Sequence, residues 1–282
     1  MTMRVIDSLP AMLEYSRQLR LQKLRIGLVP TMGYLHEGHL SLIRLTKKNS
    51  DRVVVSIFVN PSQFAPGEDF EKYPRDFEHD LTLCQQEGVD VIFYPAAVEM
   101  YRSDHTTYVI SDSLAAKLCG VSRPTHFKGV ATVVAKLFNI VQPDVAIFGQ
   151  KDAQQSLIIR RMVVDLNFAV QIIVAPIIRE QDGLAMSSRN KYLTPAQRQA
   201  ALVLYQSLQK AEQLIRQGET HAATIQRTMM TMIQGVPDVR LDYLATVDFD
   251  TLEPVQKIKS NTLIAIAAYL GTTRLIDNVL IV

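Results

Sequence analysis

Cysteine is scarce in this chain, and its two residues, Cys84 and Cys119, fall in segments of helical pattern without metal-ligand spacing. They read as buried or incidental free thiols. Also missing are an apolar run long enough to cross a bilayer and, from Met1 to Pro10, the apolar core of a secretory signal, so the expected compartment is the cytoplasm. No block of Lys or Arg stands out: 30 basic side chains are interspersed with 28 acidic ones, for a net charge of +2. That balance leaves no footprint for nucleic acid, although a local basic site for an anion is compatible with it. Repeats and low-complexity tracts are absent too. What remains is 282 residues, 48% hydrophobic and 21% charged, an ordinary globular composition with enough chain for an enzyme-sized core and two domains.

What is present is an alternation of two patterns. Short β-branched runs at Arg25 to Val29, Arg52 to Val59, Val89 to Tyr94, Val145 to Phe148 and Val170 to Ile178 are separated by segments of helical period. One such segment is Gly129 to Val141, whose Val130, Val133, Val134, Leu137 and Val141 share a face; another is Lys151 to Leu166. The alternation predicts an α/β fold with a largely parallel sheet, in which ligands bind outside the carboxyl ends of the strands. Beyond about Ile178 the pattern changes. Thr194-Pro195-Ala196-Gln197 combines an N-cap, a proline at the first helical position and a capping-box glutamine, opening a helix expected to reach Gln217. A second helix from His221 to Gln234 and strands at Val239 to Val247, Leu263 to Leu270 and Leu275 to Val282 complete a smaller α+β unit with an antiparallel sheet. The domain boundary is placed near residue 177, giving segments 1–177 and 178–282.

Five segments carry polar chemistry. Pro30 to Leu42 follows the apolar run Ile26 to Val29, turns at Gly33 and opens a helix with His36 and His39 on one face of its first turn. Free N–H groups and the positive dipole end suit a phosphate there. A His-x-Gly-His at a strand-to-helix junction resembles the signature of the nucleotidylyltransferase superfamily, although an isolated motif this short more often caps an ordinary helix. Ser56 to Phe64 leaves its strand through Asn60-Pro61 towards Gln63; the two amides suit a hydroxyl-bearing substrate, and plain turn chemistry accounts for them as well. Arg123 to Gly129 gathers two cations and His126 before a helix, where an anion or simply solvent satisfies the charges. Phe148 to Gln155 is again strand, Gly149 and helix, and Lys151 in the first helical turn would oppose the dipole unless an anion lies nearby. Asp182 to Asn190, at the domain junction, offers Ser187, Ser188 and Arg189 either as a phosphate-binding closing loop or as a polar hinge.

Together these segments resemble the pantoate–β-alanine ligase family, in which PTMGxLHxGHLSL, SIFVNPxQF, RPxHFxGVxTVV, FGxKDxQQ and GLAMSSRN occur in the same order. The likeness spans essentially the whole chain. It implies a homodimer with a Rossmann-like nucleotide- and pantoate-binding domain at 1–177 and a smaller lid domain at 178–282. It implies synthesis of pantothenate from pantoate, β-alanine and ATP through a pantoyl adenylate, with release of AMP and pyrophosphate. Mg²⁺ would be held mainly by the ATP phosphates rather than by protein ligands. Matched motif by motif, His36, His39 and Lys151 would act on the triphosphate, with Ser187, Ser188 and Arg189 gripping phosphates. Met32 and Gly33 would line the approach to the nucleotide, Gly149 and Asp152 would meet the ribose, and Ile178 and Met186 would complete the ATP pocket. Gln63 and Gln155 would bind pantoate, Asn60 would support that loop and reach towards a phosphate, and Arg123 and His126 would face the pantoate and β-alanine side. Thr125 departs from the family, which usually has Gly there.

The implied chemistry suits these residue types. A carboxylate nucleophile is already ionised near neutral pH, so adenylation needs alignment and charge stabilisation more than a general base. Other readings of the first motif are an adenylyltransferase for a phosphate monoester, a tRNA-charging enzyme, which the near-neutral charge disfavours, and a silent nucleotide sensor.

Overall fold

Among residues 3–282, which a computed structural model describes, a six-stranded parallel sheet and a separate three-stranded antiparallel sheet bear out the α/β plus α+β reading. The parallel sheet contains β1 (Arg4–Ile6), β2 (Ile26–Thr31), β3 (Arg52–Ile57), β4 (Val91–Phe93), β5 (Val145–Gly149) and β6 (Gln171–Ala175), in spatial order β1-β4-β3-β2-β5-β6. From β2 the chain proceeds outward through β3 to β4, then returns by the helix His126–Val141 to β5 on the other side of β2. The strand order therefore reverses between β2 and β5, where their carboxyl ends open a crevice. β1 is too short to show an alternation in sequence. It is recruited to the far edge by in-register pairing with β4.

The central strands are buried along nearly their whole length, as expected of a parallel sheet covered on both faces. Leu28, Val54, Ala146 and Phe148 pack with the helix His126–Val141 on one side. Val29, Val53, Val55 and Ile147 pack with Leu40 and Ile43 of the helix Glu37–Lys47 on the other.

The second sheet joins β7 (Val239–Asp248), β8 (Thr262–Leu270) and β9 (Thr273–Ile281) in that order. Ile264, Ile266, Ala268 and Leu270 of β8 pack under the helices Pro195–Arg216 and Ala222–Gln234. The alternate residues Leu263 and Ala265 join the core of the larger unit, so β8 is buried on both faces and the two units share apolar contact. The helix Pro195–Arg216 starts with the anticipated reciprocal cap between Thr194 and Gln197. Among the described residues, no helix is long and apolar enough to cross a membrane. Cys84 and Cys119 are buried and free.

Candidate active site

The turn after β2 is held in a strained conformation. Gly33 takes φ +81° and Tyr34 φ +52°, a left-handed pair that glycine accepts and tyrosine disfavours. Asp80, on the helix Phe77–Gln86, stabilises it by accepting the backbone N–H groups of Tyr34 at 2.8 Å and Leu35 at 2.7 Å. Burial raises the Asp80 carboxyl pKa despite these two bonds. Contrary to the sequence expectation, Gly33 does not border the cavity: a Cβ there would lie 2.8 Å from Asp80 Oδ2. Met32 does border it.

This turn delivers His36 and His39 as a reciprocal helix cap. Nδ1 of His36 accepts the N–H of Gly38 at 3.1 Å, and Nδ1 of His39 accepts the N–H of His36 at 3.3 Å. A ring nitrogen that accepts a backbone N–H carries no proton, so both imidazoles are donors at Nε2. Burial and then Lys151 lower His36 to about 4. Burial, His36 and Lys151 together hold His39 well below its usual value. Two neutral Nε2–H donors, with ring centroids 4.1 Å apart, thus stand at a helix N-terminus. They can bond an anion without first placing two positive rings in contact.

Across the strand reversal, β5 ends at Gly149, whose missing side chain leaves open space. Gln150–Asp152 form a 3₁₀ turn ahead of the helix Ala153–Asp165, and Asp152 is that helix's N-cap. Lys151 therefore precedes the α-helix instead of sitting in its first turn, which reduces the dipole conflict inferred from sequence. It borders the cavity without an ion-pair partner among the described residues.

Another part of the lining is built around Gln63, which ends the turn Pro61–Gln63 after β3. Gly129 allows the helix His126–Val141 to approach this turn, since a Cβ there would meet Ser62 O at 2.3 Å and Gln63 Cα at 2.6 Å. Asn60 donates to Gln63 Oε1 and to Gly129 O, both at 3.1 Å, and its Oδ1 accepts from Ser62. Its amide is thus spent on supporting the loop, and this arrangement leaves it no free donor for the phosphate contact suggested by the resemblance. The backbone carbonyl of Gln63 accepts His126 Nδ1 at 2.9 Å and Arg123 Nη2 at 3.3 Å. His126 therefore carries its proton on Nδ1, opposite to the other two rings, and burial followed by Arg123 pushes its pKa down to about 3. Its Nε2 is an acceptor. Arg123 also forks onto Glu68 at 2.7 and 2.6 Å. Thr125 sits at φ −95°, an ordinary right-handed value, so the family's usual Gly is not needed for the backbone here. Gln155 borders the cavity with its amide unpaired among the described residues. Gln154 is instead structural, accepting Cys119 N–H at 3.0 Å and donating to the carbonyls of Leu114 and Lys117.

The segment Asp182–Asn190 is pinned rather than left as an open loop. Arg179 and Ala185 form a β-bridge, and Arg198 pairs with Glu180 and Asp182. Ser187 caps the turn Ser188–Tyr192 through Arg189 N–H, and Ser188 Oγ donates to Tyr34 O at 3.4 Å. Arg189 is already paired: Nε and Nη2 fork onto Asp69 at 2.8 and 2.9 Å. Although burial opposes it, this pairing lowers the Asp69 carboxyl pKa. Met186 N–H bonds Ile178 O at 3.0 Å, setting both residues on the cavity wall.

The result is a cavity of about 900 Å³ that gathers every sequence-predicted site residue except Gly33. Its lining combines these donors with apolar side chains, among them Phe58, Val130, Val133, Val134 and Leu137. Glu68, Asp69, Asp80 and Asn278 escaped sequence reasoning because each acts through a partner distant in the chain. No cluster of three or more His, Cys, Asp or Glu able to hold a metal ion occurs among the described residues.

Known proteins resemble the chain throughout its length. The family model for pantoate-beta-alanine ligase matches residues 4–280. A pantothenate synthetase from Thermoanaerobacter sp. (strain X514) is 56% identical over 99% of this chain and 98% of its own. The one from Moorella thermoacetica is 54% identical over 99% of each. The crystal structure of pantothenate synthetase from Thermus thermophilus matches with a TM-score of 0.93 at 44% identity, covering 98% of this chain and 99% of the other. A pantoate-beta-alanine ligase from Francisella tularensis, complexed with beta-gamma ATP and beta-alanine, matches with a TM-score of 0.80 at 34% identity over 99% of this chain and 98% of its own.

Proposed function

The chain belongs to the pantoate–β-alanine ligase family, and from that premise we propose that it joins pantoate to β-alanine in two steps, through a pantoyl adenylate. In the first, a pantoate carboxylate oxygen attacks the α-phosphorus of ATP and pyrophosphate leaves. In the second, the neutral amine of β-alanine attacks the acyl carbon, AMP leaves and the amine loses a proton. The observation that carries this reading is the pair of Nε2–H donors on His36 and His39 beside the unpaired Lys151, facing the same cavity as Gln63 and Gln155.

These groups divide the work by chemistry. His36, His39 and Lys151 hold the phosphates and stabilise charge that develops as pyrophosphate departs. Ser187 and the free Nη1 edge of Arg189 add donors, while Ser188, whose hydroxyl donates to Tyr34 O, holds that turn in place. Met32, Gly149, Asp152, Ile178 and Met186 bound the nucleoside. Gln63 and Gln155 orient pantoate, whose methyl groups suit the apolar side chains of the lining. Arg123 and His126 hold Gln63 in place, and His126 Nε2 offers the incoming amine an acceptor.

Mg²⁺ fits this donor set as a companion of the triphosphate, since it retains waters and leans on phosphate oxygens, with Asp69 and Asp152 bordering the same space. When bound it neutralises charge on the departing pyrophosphate. We place the domain boundary near residue 177, just beyond β6, with the second unit as wall and lid. A cytoplasmic homodimer completes the proposal. The test is an ordered assay: ATP and pantoate alone should release pyrophosphate once per site, and β-alanine should then liberate AMP. Pyrophosphate release that requires β-alanine from the outset would overturn the adenylate route.

A further inference from the structure

We propose that Asn278, on the last strand of the small sheet, is a positioning residue for Lys151. Asn278 is 3% exposed, and its side chain is committed to the turn that carries the lysine. Nδ2 donates to the backbone carbonyls of Gln150 at 2.9 Å and Lys151 at 3.0 Å, while Oδ1 accepts Nε2 of Gln150 at 3.3 Å. Asn278 is itself fixed from behind. Its backbone N–H donates to Asp277 Oδ1 at 2.8 Å, and Asp277, 2% exposed, forks onto Arg179 at 2.6 and 2.9 Å. Arg179 lies 4.0 Å over the Tyr205 ring and donates to Gly183 O at 3.2 Å.

A continuous set of polar contacts, buried at Asp277 and Asn278, therefore runs from Gly183 through Arg179 and β9 to the backbone of Lys151. A 3₁₀ turn of three residues has few internal hydrogen bonds with which to hold its own shape. Two donors from outside fix the height and direction from which the lysine side chain departs. They also neutralise two carbonyl dipoles that would otherwise stand beside bound phosphate. Both effects matter most where a charged group must meet a transition state, because displacement by about 1 Å can cost on the order of 100-fold in rate.

This inference rests on the assignment of Lys151 to the phosphates, and its test separates the two. In pantoate-dependent pyrophosphate release, Asn278→Ala should lower kcat by about 10- to 100-fold, the usual range for losing a supporting partner, with the KM for pantoate within about twofold. Asn278→Asp keeps the shape but removes both donors and should lose as much. In a Lys151→Ala background, Asn278→Ala should cost at most about twofold more, because residues acting through one another are non-additive. Should Asn278→Ala fail to accumulate as folded protein, Gln150→Ala carries the same cycle, with a smaller loss that again vanishes in the Lys151→Ala background. Full additivity with Lys151→Ala, or unchanged kcat in Asn278→Asp, would overturn the positioning role. Unchanged kcat in Lys151→Ala alone would instead overturn the site assignment.

Discussion

At the scale of single residues, the tautomers of three histidines are the most informative result. His36 and His39 accept backbone N–H groups at Nδ1, whereas His126 donates from Nδ1 to a carbonyl, so the same residue type brings two donors and one acceptor to the lining of a single cavity. His36→Gln, whose amide N–H reaches towards the Nε2 position, should retain at least about tenfold more kcat than His36→Asn, which reproduces only the Nδ1 cap. The Asn variant should lose about 100- to 1,000-fold, the usual effect of deleting one charge-stabilising donor. Steady-state turnover with saturating ATP checks this, and equal losses would mean that His36 serves only as a cap. Chain position alone does not distinguish these roles, because donor or acceptor character depends on the partner of the other ring nitrogen.

At the scale of elements, two close approaches shape the substrate walls. The helix His126–Val141 can press against the Pro61–Gln63 turn only because Gly129 lacks a Cβ. Gly129→Ala should push that turn away, weakening pantoate binding by about tenfold or more, the cost of one lost buried hydrogen bond to a polar ligand, while ATP binding changes less. Calorimetric titration of the two ligands compares them, and equal losses would move Gln63 out of the pantoate wall. The second approach is the fork between Arg189 and Asp69, which ties the turn Ser188–Tyr192 to the loop after Phe64. Asp69→Asn leaves the guanidinium without its counter-charge, so the free protein should melt lower and gain more from ATP than the parent does. A thermal shift with and without ATP measures this. A smaller ATP-induced shift in the variant would show that Asp69 orients Arg189 for phosphate instead of substituting for it.

At the scale of the whole molecule, the buried histidines couple stability to pH. An unperturbed imidazole titrates near 6.5, whereas His36 is lowered to about 4, His126 to about 3, and His39 also lies below the usual value. Between these values the unfolded chain binds more protons than the folded one. Their contribution to stability is therefore complete above about pH 6.5 and is lost as pH falls towards the folded values. The urea midpoint should decline from about pH 7 to pH 5, before the paired carboxylates of Glu68 and Asp69, whose pKa values are lowered, take over. Replacing His126 with Gln should flatten the decline. An unchanged slope in that variant would mean that His126 is not held neutral by the fold.

The sequence by itself determined the features that depend on neighbours along the chain. The β-branched runs predicted the central strands, the Thr194–Gln197 cap opened the long helix where expected, and the order of the five motifs identified the family. Periodicity and capping are local, so they are readable without a partner in view. Tertiary structure decided what crosses the chain: the pairing of β1 with β4, the support of Tyr34 and Leu35 by Asp80, and the occupation of Arg189 by Asp69 at a separation of 120 residues. It also decided the hold of Asn278 on Lys151, at a separation of 127 residues. A carboxylate or amide in such a pair leaves no periodic trace in its own segment, because its role is set by the group that the fold brings within hydrogen-bonding distance.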